Sequence, residues 1–217
     1  MLPRLPAASG KVAGMTMSSC HEKLQPMKPH VVLLAALSAI SLLALAQPTS
    51  QLDPSWTVGS EHNNYEGGVA DFGFARGGNA KFIRANMAGE RDWGSLAQGF
   101  NATQYRGKRV RFQAQVRTEG ITDWSGLWMR VDCQGDRACS FYNSQDKPIV
   151  GTNDWQLRSV TLDVPDNAKI IVLGVIAAGK GTVWIDDLKV EAVGNDVPVD
   201  VQPSFEAMME RRGKPSL

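Results

Sequence analysis

Between Gly107 and Asp132 the chain reads GKRVRFQAQVRTEGITDWSGLWMRVD, and no other stretch restricts the fold so strongly. Val110, Phe112, Ala114 and Val116 alternate with Arg109, Arg111, Gln113, Gln115 and Arg117, the period of two that gives a strand one dry and one wet face. Turn-forming residues follow at Gly120 and from Asp123 to Gly126. Leu127, Met129 and Val131 then alternate with Trp128, Arg130 and Asp132. The spacing predicts two neighbouring strands whose shared polar face carries indole, guanidinium, amide and carboxylate groups.

Short runs of the same kind recur at Tyr65 to Asp71, Ala80 to Ala85, Ser95 to Phe100, Ser140 to Asn143, Trp155 to Val164, Lys169 to Ala178 and Thr182 to Val193. Glycine-rich turns separate several of them, and no long amphipathic helix intervenes. Such a pattern specifies an all-β sandwich or barrel. Ile170 to Ala178 is apolar at both parities, which predicts a central strand covered on both faces.

Val31 to Ala46 is a run without charge, preceded by Lys28 and ending in Ala44-Leu45-Ala46. It is shorter than a membrane-spanning helix and has the small residues that a signal peptidase reads, so export with cleavage before Gln47 is expected. Translation would then start naturally at Met27 rather than Met1. The alternative is an uncleaved anchor with Arg4, Lys11, Lys23 and Lys28 on the cytoplasmic side. The expected organisation is an extension and signal peptide over 1–46, a linker over 47–55, one sandwich domain over 56–193 and a mobile or loosely docked tail over 194–217. In that tail, Phe205 to Arg212 could form two helical turns.

Of the 23 Lys and Arg and 22 Asp and Glu residues, four basic and one acidic precede Gln47, leaving the rest of the 217-residue chain about two charges negative. That balance provides no basic footprint for nucleic acid. With the signal peptide cleaved, no membrane segment and a periplasmic or secreted location are expected. Cys133 and Cys139 flank the turn-rich Gln134-Gly135-Asp136-Arg137, and in an exported chain they form a disulfide candidate worth about 2 kcal/mol; two free thiols are the alternative.

The segments YRGKRVRF (Tyr105 to Phe112), Asp154-Trp155 and GTVWIDDLKVE (Gly181 to Glu191) resemble, in order and spacing, the galactose-binding-like jelly rolls that include many carbohydrate-binding modules. More narrowly, with LWMRVD at Leu127 to Asp132, the chain resembles small bacterial jelly-roll domains fused to AraC-type regulators or found beside serine peptidases. The resemblance spans roughly Trp56 to Val193 and implies a jelly-roll β-sandwich. It also implies that Asp186, with Glu66 as the best match for the second ligand, holds a structural calcium ion. By parity Asp186 falls on the inward side of its strand, and the alternative is a carboxylate bonded to arginine or backbone groups.

Sugars are held by stacking on Trp or Tyr and by hydrogen bonds from amide, guanidinium and carboxylate groups. The expected ligand-binding residues are therefore Gln113, Gln115, Trp128, Arg130, Asp132, Tyr142, Trp93 and Trp124, with carbohydrate or a similar polyol as the ligand. Trp128 could instead belong to the core, as Trp56 and Trp184 are expected to do. The other functional reading is a structural or protein-interaction domain without a small-molecule ligand. A hydrolytic triad would have to use His62, and no G-x-S-x-G motif surrounds any serine. Carboxylates are too numerous to identify a glycosidase pair, so a non-catalytic protein is expected.

Overall fold

The computed structural model describes residues 51–75, 78–89, 91–204 and 206–207. The expected signal segment, the first four residues of the linker and most of the expected final helix lie outside these residues. Among the described residues there are nine strands: β1 Trp56–Ser60, β2 Tyr65–Val69, β3 Lys81–Ala85, β4 Trp93–Asn101, β5 Lys108–Cys133, β6 Asp136–Asn143, β7 Ile149–Val164, β8 Ala168–Ala178 and β9 Thr182–Val193. Among the described residues, no helix is long and apolar enough to cross a membrane.

The stretch expected to be two strands is one, and β5 runs unbroken for 26 residues. Its first half pairs with β7 and β9, whereas its second half pairs with β6 and β8. Gly120 adopts φ +62°, and the register against β7 shifts between Thr118 and Ile121 and again before Ser125. Glycine in the left-handed region together with irregular pairing bends a strand without reversing it. The strand order is β1-β4-β8-β5-β9-β3-β2, with β6 and β7 also on β5. β5 thus links the two layers of a sandwich.

Both halves of β5 keep the dry face that their alternation specified. Val110, Phe112, Ala114, Val116, Leu127, Met129 and Val131 are all fully buried and belong to one core with Leu96, Ile171, Val175 and Ile185. Each large aliphatic or aromatic side chain removed from water contributes about 1.5–3 kcal/mol. β8 is central, between β4 and β5. Its two faces are covered unequally, however: Ile171, Leu173, Val175 and Ala177 enter the core, while on the other face Gly174 and Ala178 are buried, Val172 and Ile176 half-buried and Ile170 exposed.

Cys133 and Cys139 are bridged, with Cα atoms 5.9 Å apart, and close the turn between β5 and β6. Beyond β9 the chain remains attached through residue 202. Arg109 donates to the carbonyls of Asn195 and Val197. Asp200 accepts from the Thr161 N–H and pairs with Lys147, and Gln202 accepts from the Asn143 N–H. Val199 packs against the core. This part of the tail, expected to be loose, is a strap over β7 towards the end of β6, because its backbone and carboxylate find partners that periodicity alone does not announce.

Candidate functional site

The face of the β1-β4-β8-β5-β6 layer that points away from the core is concave and holds a groove of about 640 Å³. Its layout follows from strand register. The central row runs Asn143, Trp128, Gly174, Ala97, Thr57 across β6, β5, β8, β4 and β1. One row is Phe141, Arg130, Val172, Gly99. At the opposite end, Trp124 and Trp93 both pair with Ala178, one from each side. The alternation of each strand therefore brings three indoles, a phenyl ring and several polar groups onto one surface.

Trp128 lies on the groove side of β5 but is only 9% exposed. Its indole N–H donates to Ser95 Oγ on β4 at 3.0 Å. To make that bond the ring must cross the intervening strand β8, and it does so at Gly174, which has no side chain in the way. The expectation of an exposed platform is corrected accordingly: Trp128 is the floor of the groove rather than its wall. Trp93, 48% exposed, Trp124 and Phe141, 38% exposed, supply the accessible aromatic surface.

Arg130 donates through Nε and Nη2 to the two oxygens of Asp132 at 2.9 and 3.0 Å, a paired geometry that fixes the planar guanidinium at the groove edge. Burial by itself raises the Asp132 carboxyl pKa, but the Ala138 N–H and Arg130 outweigh it and hold the group below the usual carboxylate range. Arg91 and Asp123 stand at the tryptophan end. Asn143 and Gln145 add amide groups near Phe141.

Three expected site residues are elsewhere. Gln113 and Gln115 belong to the first half of β5, paired with β7 and β9, and so lie on the outer face of the other layer. Tyr142 faces the core at 1% exposure, and its hydroxyl donates to Asp146 Oδ1 at 2.6 Å. Trp93 on β4 was expected, but Ser95 and Ala97 on the same strand and the groove residues on β1 and β8 were not, because they are remote in sequence from the second half of β5. The unexplained apolar parity of β8, Val172 and Ile176, was the one local sign of a second exposed surface.

Asp186 does not face inward. Asp187 adopts φ +49°, and the pairing of β9 with β5 skips a residue between Gln113 and Gln115, a bulge that reverses the parity of the strand. Val183 and Ile185 precede the bulge in the core, while Leu188 and Val190 pack against it afterwards. Trp184 consequently lies on the outer face, under Phe72 and the Arg117 guanidinium, rather than in the core. Asp186 accepts the Phe74 N–H at 2.7 Å through Oδ2 and the Asp187 N–H at 2.8 Å through Oδ1. Glu66 pairs with Arg84 across β2 and β3.

These donor sets do not fit calcium: each Asp186 oxygen is engaged by a backbone N–H, and Glu66 is bonded to a guanidinium. Among the described residues no group of three or more His, Cys, Asp or Glu is arranged to hold a metal ion. Chelator is therefore expected to leave the thermal midpoint unchanged, whereas Asp186→Ala destabilises by about 1.5–3 kcal/mol, because it removes a charged acceptor from two N–H groups. A midpoint that rises with added calcium would show that the carboxylate serves a metal after all.

No protein-family model matches the chain. It is 32% identical over 145 residues to an uncharacterized HTH-type transcriptional regulator, YbfP, of Bacillus subtilis; the match covers 66% of this chain and 49% of the regulator. The chain thus spans about half the length of that relative. Among solved structures, the xylan-binding-module and catalytic-module pair (CBM22-1–GH10) of the Clostridium thermocellum xylanase Xyn10B, complexed with xylohexaose, superposes with a TM-score of 0.51 at 14% identity, over 71% of this chain and 29% of the xylanase chain. An apo cyclase from Fischerella sp. gives 0.52 at 11% identity, over 75% of this chain and 93% of the cyclase. The fold is the jelly-roll-like sandwich that these proteins share. At such identities the likeness concerns architecture, and the same architecture serves a binding module and a cyclase.

Proposed function

We propose that this domain is an exported, non-catalytic carbohydrate-binding module whose ligand, a glycan or similar polyol, lies in the groove above Trp128. The observation that carries this reading is the composition of the groove: exposed indole and phenyl surfaces stand over an apolar floor, with guanidinium, carboxylate and amide groups at the edges. Ring C–H groups stack on the first, and hydroxyls bond to the second. Arg130 and Asp132 satisfy each other, so they hold and orient a ligand rather than transfer protons to it. The Cys133–Cys139 bridge supports an oxidising compartment, in keeping with the signal-like segment at Val31 to Ala46.

Val172→Tyr tests the groove as a whole. Val172 is half-buried on the groove floor and outside the core cluster, so the substitution fills the groove while costing the fold no more than about 1 kcal/mol. On a glycan array the parent domain is expected to be retained and Val172→Tyr to be lost. If the folded parent is retained by no glycan, the domain is a structural or protein-interaction element. The exposed Phe141 on the groove rim and Leu157 on β7 would suit that reading.

A further inference from the structure

Arg130 lines the groove, whereas Asp132, two residues further along β5, does not. Their side chains are each 20% exposed and meet side-on, Nε donating to Asp132 Oδ1 at 2.9 Å and Nη2 to Oδ2 at 3.0 Å. Nη1 has no acceptor among the described residues and is not sealed from solvent. A guanidinium is planar, carries five N–H bonds in a fixed fork and accepts nothing. With Nε–H and one Nη2–H taken by the carboxylate, an end-on pair remains, one hydrogen each from Nη1 and Nη2. These lie parallel and match two adjacent oxygen atoms.

Asp132 is held in turn by the connection between β5 and β6. Between the paired residues Val131 with Ser140 and Cys133 with Asp136, three residues of β6 stand opposite Asp132 alone, and Ala138 among them adopts φ +62°. Its N–H donates to Asp132 Oδ1 at 2.9 Å. An alanine in the left-handed region persists only where its surroundings hold it there. The Cys133–Cys139 bridge does so, because it joins the residue after Asp132 to the residue after Ala138.

The ligand chemistry follows from charge. Phe141 is the direct cross-strand neighbour of Arg130, lines the groove and is 38% exposed, so apolar ring surface stands beside the fork. Two adjacent oxygens come either from vicinal hydroxyls or from a carboxylate. A carboxylate would be the second anion on a guanidinium already neutralised by Asp132, and such like-charge juxtaposition is costly. Vicinal hydroxyls accept the same two N–H bonds and bring no charge.

We infer that Arg130, positioned by Asp132 and the bridged turn, is the specificity-determining donor of the groove and takes a vicinal diol of an uncharged sugar ring. This rests on the carbohydrate-binding reading and adds which residue reads the sugar and what holds that residue in place.

The experiment is calorimetric titration of the domain with xylohexaose, cellohexaose, galactotriose, oligogalacturonate and methyl-esterified oligogalacturonate, the fold of every variant being checked by urea melts. The parent is expected to bind a neutral oligosaccharide and to prefer the methyl ester to the free acid. Arg130→Lys keeps the charge but not the fork, and should weaken neutral binding at least about tenfold. Asp132→Asn retains an oxygen for the Ala138 N–H but removes the neutralising charge. It should weaken neutral binding several-fold and raise the affinity for the free acid relative to its ester, a change of preference that a merely structural role would not produce. The double variant Cys133→Ser, Cys139→Ser should also bind neutral sugar several-fold more weakly. If Arg130→Lys binds as the parent does, the role of the fork is overturned while the groove remains the glycan site. If Asp132→Asn or the folded double serine variant matches the parent in strength and preference, the positioning role is overturned. A parent that prefers the free acid overturns the uncharged class. A folded parent that binds no sugar overturns the inference together with the reading on which it rests.

Discussion

Replacing Trp128 by alanine is expected to cost the domain about 3 kcal/mol, at the low end of what truncation of a buried tryptophan costs because water can refill a groove as it cannot refill a core. The side chain is 9% exposed and reaches across β8 at Gly174 to Ser95 Oγ. Its loss uncovers the strands beneath and frees the Ser95 hydroxyl. Trp128→Phe keeps much of the apolar cover and forfeits the hydrogen bond, so its cost is expected nearer 1 kcal/mol. Urea denaturation of both variants separates the two contributions. A Trp128→Ala domain within about 1 kcal/mol of the parent would mean that the indole is a solvated platform and not the groove floor.

Gly174→Ala is expected to be at least as damaging, about 3 kcal/mol or more, although it adds a single methyl group. A Cβ at this position would lie 2.0 Å from the Leu96 carbonyl oxygen and 2.9 Å from Ala97 Cα. Both are backbone-attached atoms of β4, which cannot move aside without parting from β8. Gly99, on the same β4–β8 pair, provides the control: a Cβ there meets nothing closer than 3.7 Å, and Gly99→Ala should be nearly neutral. Comparison of the two urea midpoints measures how tightly β4 and β8 are held under the indole. Equal midpoints would refute that close approach.

Much of this molecule is legible without coordinates. The alternation of Val110 to Val116 and of Leu127 to Val131 identifies their buried faces correctly, and the span from Cys133 to Cys139 identifies the bridged turn. The groove was legible in part. Trp128, Arg130, Trp93 and Trp124 share it, whereas Gln113 and Gln115 are on the other layer and Tyr142 is in the core. Tyr142 has the opposite parity on β6 to the groove residues Phe141 and Asn143, and the two glutamines are misplaced for a different reason. Gly120 and Asp123 to Gly126 have turn chemistry, but the same residues also permit a strand to bend while keeping its direction.

Side-chain alternation is a local property. It states which side of a strand is dry, and so the sequence by itself determined the all-β class, the inward residues of β5 and the place of the disulfide. It does not state which strands become neighbours, because pairing is decided by contacts between segments far apart in the chain. Only the tertiary structure could place Ser95, Trp128 and Gly174 in one hydrogen-bonded crossing, or set Trp93 and Trp124 on either side of Ala178. The same holds for Asp186. One left-handed residue, Asp187, inverts the parity of everything beyond it, and that bulge is fixed by how β9 lies against β5 rather than by the residues of β9 alone.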